Sequence, residues 1–293
     1  MEIGIGLPTT IPGTDGPTVI EWARESNERG FYSLGFVDRV VWDSYDPIAV
    51  LGAAAAVTDE VRLTTAVLVT PHRGSGALLA KQLAGIDQLS LGRLTVGLAV
   101  GAVSADFAAT GRDFAKRGAN QDQLIEELRE VWRGVPRPGG VIGPPPAQPE
   151  GPPLLIGGYG RAAVRRVAQY AGGWIAGGGG PEAFRETAQR VQEEWDRAGR
   201  DGVPYLAATA YYALGEHARS VARQYLLDYY GFLGRDAAER IADTALTDVD
   251  ALKKQVAEFA DAGCDELIFF PCAADADEID LLARATLAPQ LVP

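Results

Sequence analysis

Histidine, cysteine and lysine are all scarce in this chain, and each shortage closes off a class of chemistry. The 293 residues include only 2 histidines, His72 and His217, and 2 cysteines, Cys264 and Cys272. Neither an HxxxH nor a CxxC spacing occurs, so a metal site is not expected. The cysteines flank one apolar run, and an extended strand would hold them too far apart for a disulfide, so they read as reduced core residues. Lysine occurs only at Lys81, Lys116, Lys253 and Lys254, acidic residues outnumber basic ones 39 to 27, and the formal charge is -12. With the arginines scattered along helices, nucleic acid is not an expected partner. Long hydrophobic runs are missing too. No stretch reaches the roughly 18 uninterrupted apolar residues that span a bilayer, and the opening MEIGIGLP carries no basic leader, so no membrane partner and a cytoplasmic location are expected.

Apolar residues make up 47% of the chain, enough to close one large core, so residues 1–293 are expected to form one domain. Eight short runs rich in Val, Ile, Leu, Tyr and Phe lie at Glu2 to Leu7, Tyr32 to Val37, Val61 to Val69, Leu94 to Val100, Leu154 to Gly157, Gly173 to Gly177, Tyr205 to Leu214 and Glu266 to Phe270. Most lack polar alternation, as parallel strands buried on both faces should. Between them come helical patterns at Pro17 to Arg29, Pro47 to Thr58, Ala77 to Leu91, Gln121 to Trp132, Arg161 to Ala171, Pro181 to Ala198, His217 to Tyr230 and Val249 to Ala262, with room for another near Asp236 to Thr244. Prolines 17, 47 and 181 suit a first helical turn, and Gly30, Gly199 and Gly263 suit a stop. A (β/α)8 barrel follows, with a doubly wound open sheet as the competing architecture. The Pro/Gly-dense stretch 134–153 reads as an insertion loop over one end of the barrel.

In such a barrel the residues just past each strand converge on one face. There, Gly157-Gly158-Tyr159-Gly160 runs directly into a helix at Arg161, offering bare N–H groups and a helix dipole to a phosphate. The glycines Gly177 to Gly180 form a second edge beside it. Both runs could equally be simple tight turns.

The string AKQLAGIDQLSLGRLTVGLAVG (Ala80 to Gly101) resembles the third helix and fourth strand of the bacterial-luciferase-like flavin- or F420-dependent oxidoreductases, with Asp87, Leu89, Ser90, Gly92 and Arg93 all matching. PPLLIGGYGRAAVRRVAQYAGGW and AEFADAGCDELIFFP are similar to later segments of the same family, so the likeness extends over essentially the whole chain. It implies F420 or FMN in the barrel mouth, with the phosphate on the Gly157 to Arg161 turn and Gly101, Ile175 and Gly177 nearby. Ala66-Val67 aligns with a non-prolyl cis peptide under the ring. F420-dependent sugar-phosphate dehydrogenases carry Asp-His and Gly-Glu where this chain has Asp38-Arg39 and Gly101-Ala102, which argues against that reaction.

Asp38, His72, Tyr211 and Tyr212 are the candidate acid/base residues, and Thr9, Arg39, Trp42 and Tyr211 the candidate substrate pocket. Asp38 could instead pair with Arg39, His72 could be a positioning residue, and the aromatics could be core. Three functions are open: F420-dependent hydride transfer to or from a small organic substrate, an FMN-dependent monooxygenase reaction, and flavin binding without turnover. No GxGxxG fingerprint is present, which fits a cofactor reduced by a separate flavin or F420 reductase. A homodimer is expected, through the Ala-rich helices at Pro47 to Thr58 and Ala77 to Leu91.

Overall fold

The computed structural model describes residues 1–287. Eight parallel strands close into a barrel in chain order, the last pairing with the first. They are β1 (Glu2–Gly6), β2 (Ser33–Phe36), β3 (Arg62–Val69), β4 (Leu94–Ala99), β5 (Leu154–Gly157), β6 (Gly173–Ala176), β7 (Tyr205–Tyr212) and β8 (Glu266–Pro271). All eight expected strands are present. The helices are α1 (Gly16–Glu28), α2 (Pro47–Val57), α3 (Gly76–Leu89), α4 (Ser104–Ala109), α5 (Arg117–Trp132), α6 (Arg161–Tyr170), α7 (Gly180–Arg197), α8 (Ala218–Tyr229), α9 (Arg235–Ala242), α10 (Val249–Asp261) and α11 (Asp277–Thr286).

Start signals in the sequence act as expected. Asp15, Asp46, Ser75 and Asp248 each accept a first-turn N–H, at α1, α2, α3 and α10. Two helices were not foreseen. α4 is too short to show a period, and α11 follows the last strand, where the alternation of strand and helix no longer guides the eye.

Side chains of the strands alternate between two interiors. Outward residues such as Leu34, Leu63, Val96 and Trp174 pack under the helices. Inward ones, among them Leu155, Ile175, Ala207, Ile268 and Phe270, fill the lumen. Glycines leave that lumen room for one large ring. A Cβ at Gly6 would lie 2.2 Å from the Phe270 ring and one at Gly35 2.7 Å from it, so the ring of Phe270 on β8 lies over β1 and reaches β2.

The segment 134–153 forms no regular element, only an isolated bridge between Arg137 and Gly140. It lies against α3 at the rim opposite the mouth. Gln148 donates to the buried Asp87 from its backbone (2.9 Å) and its amide (2.8 Å). Arg93 donates at the same rim to Val61 O (2.6 Å) and Thr58 O (2.8 Å), tying the end of α2 to the start of β3. The motif residues that carry the family resemblance therefore hold architecture, far from the strand ends where chemistry gathers.

Candidate active site

The end of β5 and the end of β6 form a bank made of backbone. Gly157 is buried against the β3 side chain Val67, where an added Cβ would approach to 2.9 Å. Gly160, Gly177 and Gly178 face open space, with no heavy atom within 4 Å of where a Cβ would stand. α6 begins at Arg161 after Gly160, without a side-chain cap or an acidic residue in its first turn, and α7 begins after Gly179, also without a side-chain cap. Their leading N–H groups are free for an anion. Tyr159 ties the two turns together: its hydroxyl donates to Gly177 O (2.5 Å) and Gly178 O (2.9 Å), and its ring packs edge-on against Trp174. Burial pushes that hydroxyl up to about 12, so it keeps its proton and goes on donating.

Across the lumen a cis peptide joins Ala66 and Val67, where the resemblance put one, and the β3–β4 register slips between Thr65 and Leu68. Both residues are half-buried at the mouth. Gly101 follows the end of β4 at positive φ, closed in by Val69 and Phe107, and Ile175 lies buried in the lumen.

The opposite bank is aromatic. Tyr225 and Tyr229 stand one helical turn apart on α8 and stack at 5.6 Å, and Tyr230 follows. The Thr10 and Tyr225 hydroxyls meet at 2.7 Å, as do those of Tyr211 and Tyr230. Trp42 donates from Nε1 to Thr10 O (2.8 Å) and meets Tyr229 edge-on, while Thr9 is buried beside them. Burial raises the pKa values of Tyr211, Tyr225, Tyr229 and Tyr230, so all four stay neutral hydroxyls. A groove of about 530 Å³ enters between Ile11, Trp42 and Tyr225 and reaches Cys272. Sequence reasoning named Tyr211 here and missed Tyr225, Tyr229 and Tyr230. The string YLLDYY on an amphipathic helix was the available signal.

Two of the expected acid/base residues, Asp38 and His72, lie outside this hollow, and Tyr212 turns outward, its hydroxyl donating to Glu278 O (3.3 Å). Asp38 accepts from Val69 N (2.9 Å), Arg73 Nε (3.2 Å) and Arg73 Nη2 (2.7 Å), and its side chain is 1% exposed. Burial pushes its carboxyl up, but His72 and the Arg73 charge outweigh that and hold it below the ordinary value. Its partner is therefore Arg73, not the neighbouring Arg39, and its lone pairs are committed to the end of β3. His72 lies 3.3 Å from Asp38 at an angle too poor for a hydrogen bond, buried edge-on against Phe107.

Arg39 is likewise engaged. It sits 3.4 Å from Asp106, donates to Tyr229 O (3.3 Å), and faces the rings of Trp42, Tyr229 and Phe232 at 4.9 to 5.5 Å. It pins the loop after β2 to α8 and leaves no free fork for a substrate anion.

Known proteins resemble this chain in sequence and in fold. The sequence profile described as luciferase-like monooxygenase matches residues 1–272. An uncharacterized protein of Mycobacterium tuberculosis is 34% identical over 157 residues, 50% of this chain and 53% of its own length. The F420-dependent glucose-6-phosphate dehydrogenase of Kribbella flavida is 27% identical over 218 residues, 68% of this chain and 65% of that enzyme. The chain thus spans about half the length of the M. tuberculosis relative it matches. An F420-dependent secondary alcohol dehydrogenase, solved with an F420-acetone adduct, superposes with a TM-score of 0.80 at 19% identity over 97% of each chain, a likeness of fold. With the profile running from the first strand through the last, this chain belongs to the luciferase-like monooxygenase family.

Proposed function

We propose that this chain is an F420-dependent oxidoreductase that moves a hydride to or from a small organic substrate in the barrel mouth. One observation carries the reading: an uncapped, glycine-lined anion cradle shares the barrel mouth with a buried tyrosine cluster, beside which a hollow lined by Ile11, Trp42, Tyr225 and Asp228 opens. The cradle suits a phosphate and the backbone step at Ala66-Val67 a planar ring. The match over 68% of the chain to an enzyme described as F420-dependent favours the deazaflavin.

When bound, F420 supplies a hydride donor or acceptor; everything else falls to the chain. The N–H groups at Gly158 to Arg161 and the edge at Gly177 hold the phosphate. Ala66, Val67, Gly157 and Ile175 back the ring, and Gly101 closes the β4 side. Tyr211 with Tyr230, and Tyr225 with Thr10, orient a substrate oxygen by hydrogen bonds while keeping their own protons. Thr9, Trp42 and Arg39 shape the wall, while α8 excludes water. Asp38 and His72 act as positioning residues that set the end of β3.

A small neutral substrate such as an alcohol, ketone or enone fits this hollow better than a sugar phosphate, because Arg39 is already engaged. We further propose a cytoplasmic homodimer that draws reduced cofactor from a separate reductase. The outward residues Ala49, Ala56, Leu78 and Leu89 of α2 and α3 support the dimer, and light scattering should give twice the mass of 31.1 kDa. No helix among the described residues is long and apolar enough to cross a membrane.

The decisive experiment is titration of the purified protein with F420 and with FMN. The expected outcome is tighter binding of F420 and no rapid oxygen consumption by the reduced complex. Preferential binding of FMN, with oxygen consumed, would replace this reading by a monooxygenase.

A further inference from the structure

On the outer flank of the glycine bank, α6 and α7 leave a groove of about 440 Å³. Arg161, Arg165, Arg190 and Arg197 line it, with Glu193 and Glu194 as the acidic residues. Glu194 pairs with Arg197, and Glu193 lies one turn from Gln189, whose amide it accepts at 3.0 Å. Among the described residues, Arg161, Arg165 and Arg190 have no carboxylate oxygen within 4.0 Å.

Three unneutralised guanidinium groups around one groove are conspicuous in a chain of formal charge -12. They repel one another, and an anion that enters relieves the repulsion. The groove is also continuous with the cradle. Arg161 opens α6 directly after Gly160, and Arg190 donates from Nη2 to the carbonyl of Tyr159 within the turn itself. A ligand whose phosphate sits on the turn and whose chain continues outward meets these arginines next.

We propose that this groove holds a carboxylate-bearing extension of the cofactor beyond its phosphate: the oligoglutamate tail that F420 carries and FMN lacks. The inference rests on the F420 reading above and adds the residues that would select for it. Arginine suits the task, because each planar fork takes a carboxylate in a bidentate pair.

The test is fluorescence titration with two forms of F420, one with a long oligoglutamate tail and one trimmed to a single glutamate. Arg165 is the variant of choice, being exposed and donating no hydrogen bond within the described chain. The native protein should bind the long-tailed form about tenfold more tightly at low salt, with the preference shrinking as ionic strength rises. Arg165→Glu should abolish most of that preference while leaving the trimmed form within about twofold, and Arg165→Gln should fall between. Equal affinity of the native protein for both forms overturns the groove assignment and leaves the F420 reading standing. Equal weakening of both forms by Arg165→Glu overturns it as well. If neither form binds and FMN does, the F420 reading fails and the groove assignment falls with it.

Discussion

Two banks face each other across the barrel mouth, and they are built from opposite materials. The β5–β6 side presents mostly backbone, because Gly157, Gly158, Gly160, Gly177 and Gly178 carry no side chain there and Tyr159 is tied to their carbonyls. The β7–α8 side presents rings and hydroxyls, with Tyr211, Tyr225, Tyr229 and Tyr230 brought together by hydrogen bonds and stacking. Backbone donors bind a group common to many ligands and tolerate little change. Side-chain walls are where one ligand is told from another. The division teaches that anchoring and selection can change independently in this protein.

Asp38 is the sharpest place to break that division, since it holds the end of β3 beside the aromatic bank. Asp38→Asn should cost about 2–3 kcal/mol of stability in urea unfolding, because Arg73 loses its buried partner and keeps only the exposed Asp46. The folded pKa of Asp38 lies below its ordinary value, so the contribution is full above that value and is lost as the pH falls through the lower folded one. The gap between native and variant should thus persist at neutral pH and close only in strong acid. Retained stability with lost turnover would instead put Asp38 in the chemistry.

Gly160→Val comes next. Its Cβ would enter open space at φ -75°, so the melting temperature should barely move. Cofactor affinity should fall about 100-fold, the equivalent of one or two charge-assisted hydrogen bonds to a phosphate. Tyr225→Phe probes the other bank. Loss of its bond to Thr10 should raise the substrate KM about fivefold while cofactor affinity stays within twofold. A larger effect on cofactor than on substrate would merge the two banks into one.

The far end of the lumen provides the control and the smallest functional effect. Glu266 is buried there, accepting from Ser33 and from Tyr205 (2.9 Å), and burial raises its pKa. A raised carboxyl stabilises the fold below its unfolded pKa, and that stabilisation is lost as the pH rises through the folded value. Glu266→Gln should therefore match or exceed the native melting temperature at pH 8, lose the advantage toward acid, and leave cofactor binding unchanged.

The backbone bank was legible in the sequence because its signal is local: a glycine run between an apolar strand and a helix start is contiguous in the chain. The barrel was legible for a similar reason, through eight apolar runs separated by helical periods. The aromatic bank was not, because Thr10 and Tyr225 lie 215 residues apart and meet only when the barrel closes. Asp38 and His72 were singled out for their chemistry, and their burial depends on partners distant in the chain, Arg73 for Asp38 and Phe107 for His72. The matching motif was also silent about substrate, since Asp87 and Arg93 secure the rim at the far end.

One contact near the cradle has an electrical consequence. A peptide turn offers negative carbonyl ends as well as positive amide ends, and either could greet an incoming ion. Tyr159 occupies the oxygens of Gly177 and Gly178 with its single hydroxyl, so the amide ends dominate what a visitor meets. A phenol whose proton is held by burial thereby leaves amide ends uppermost at the rim, the polarity that the proposed phosphate anchor requires.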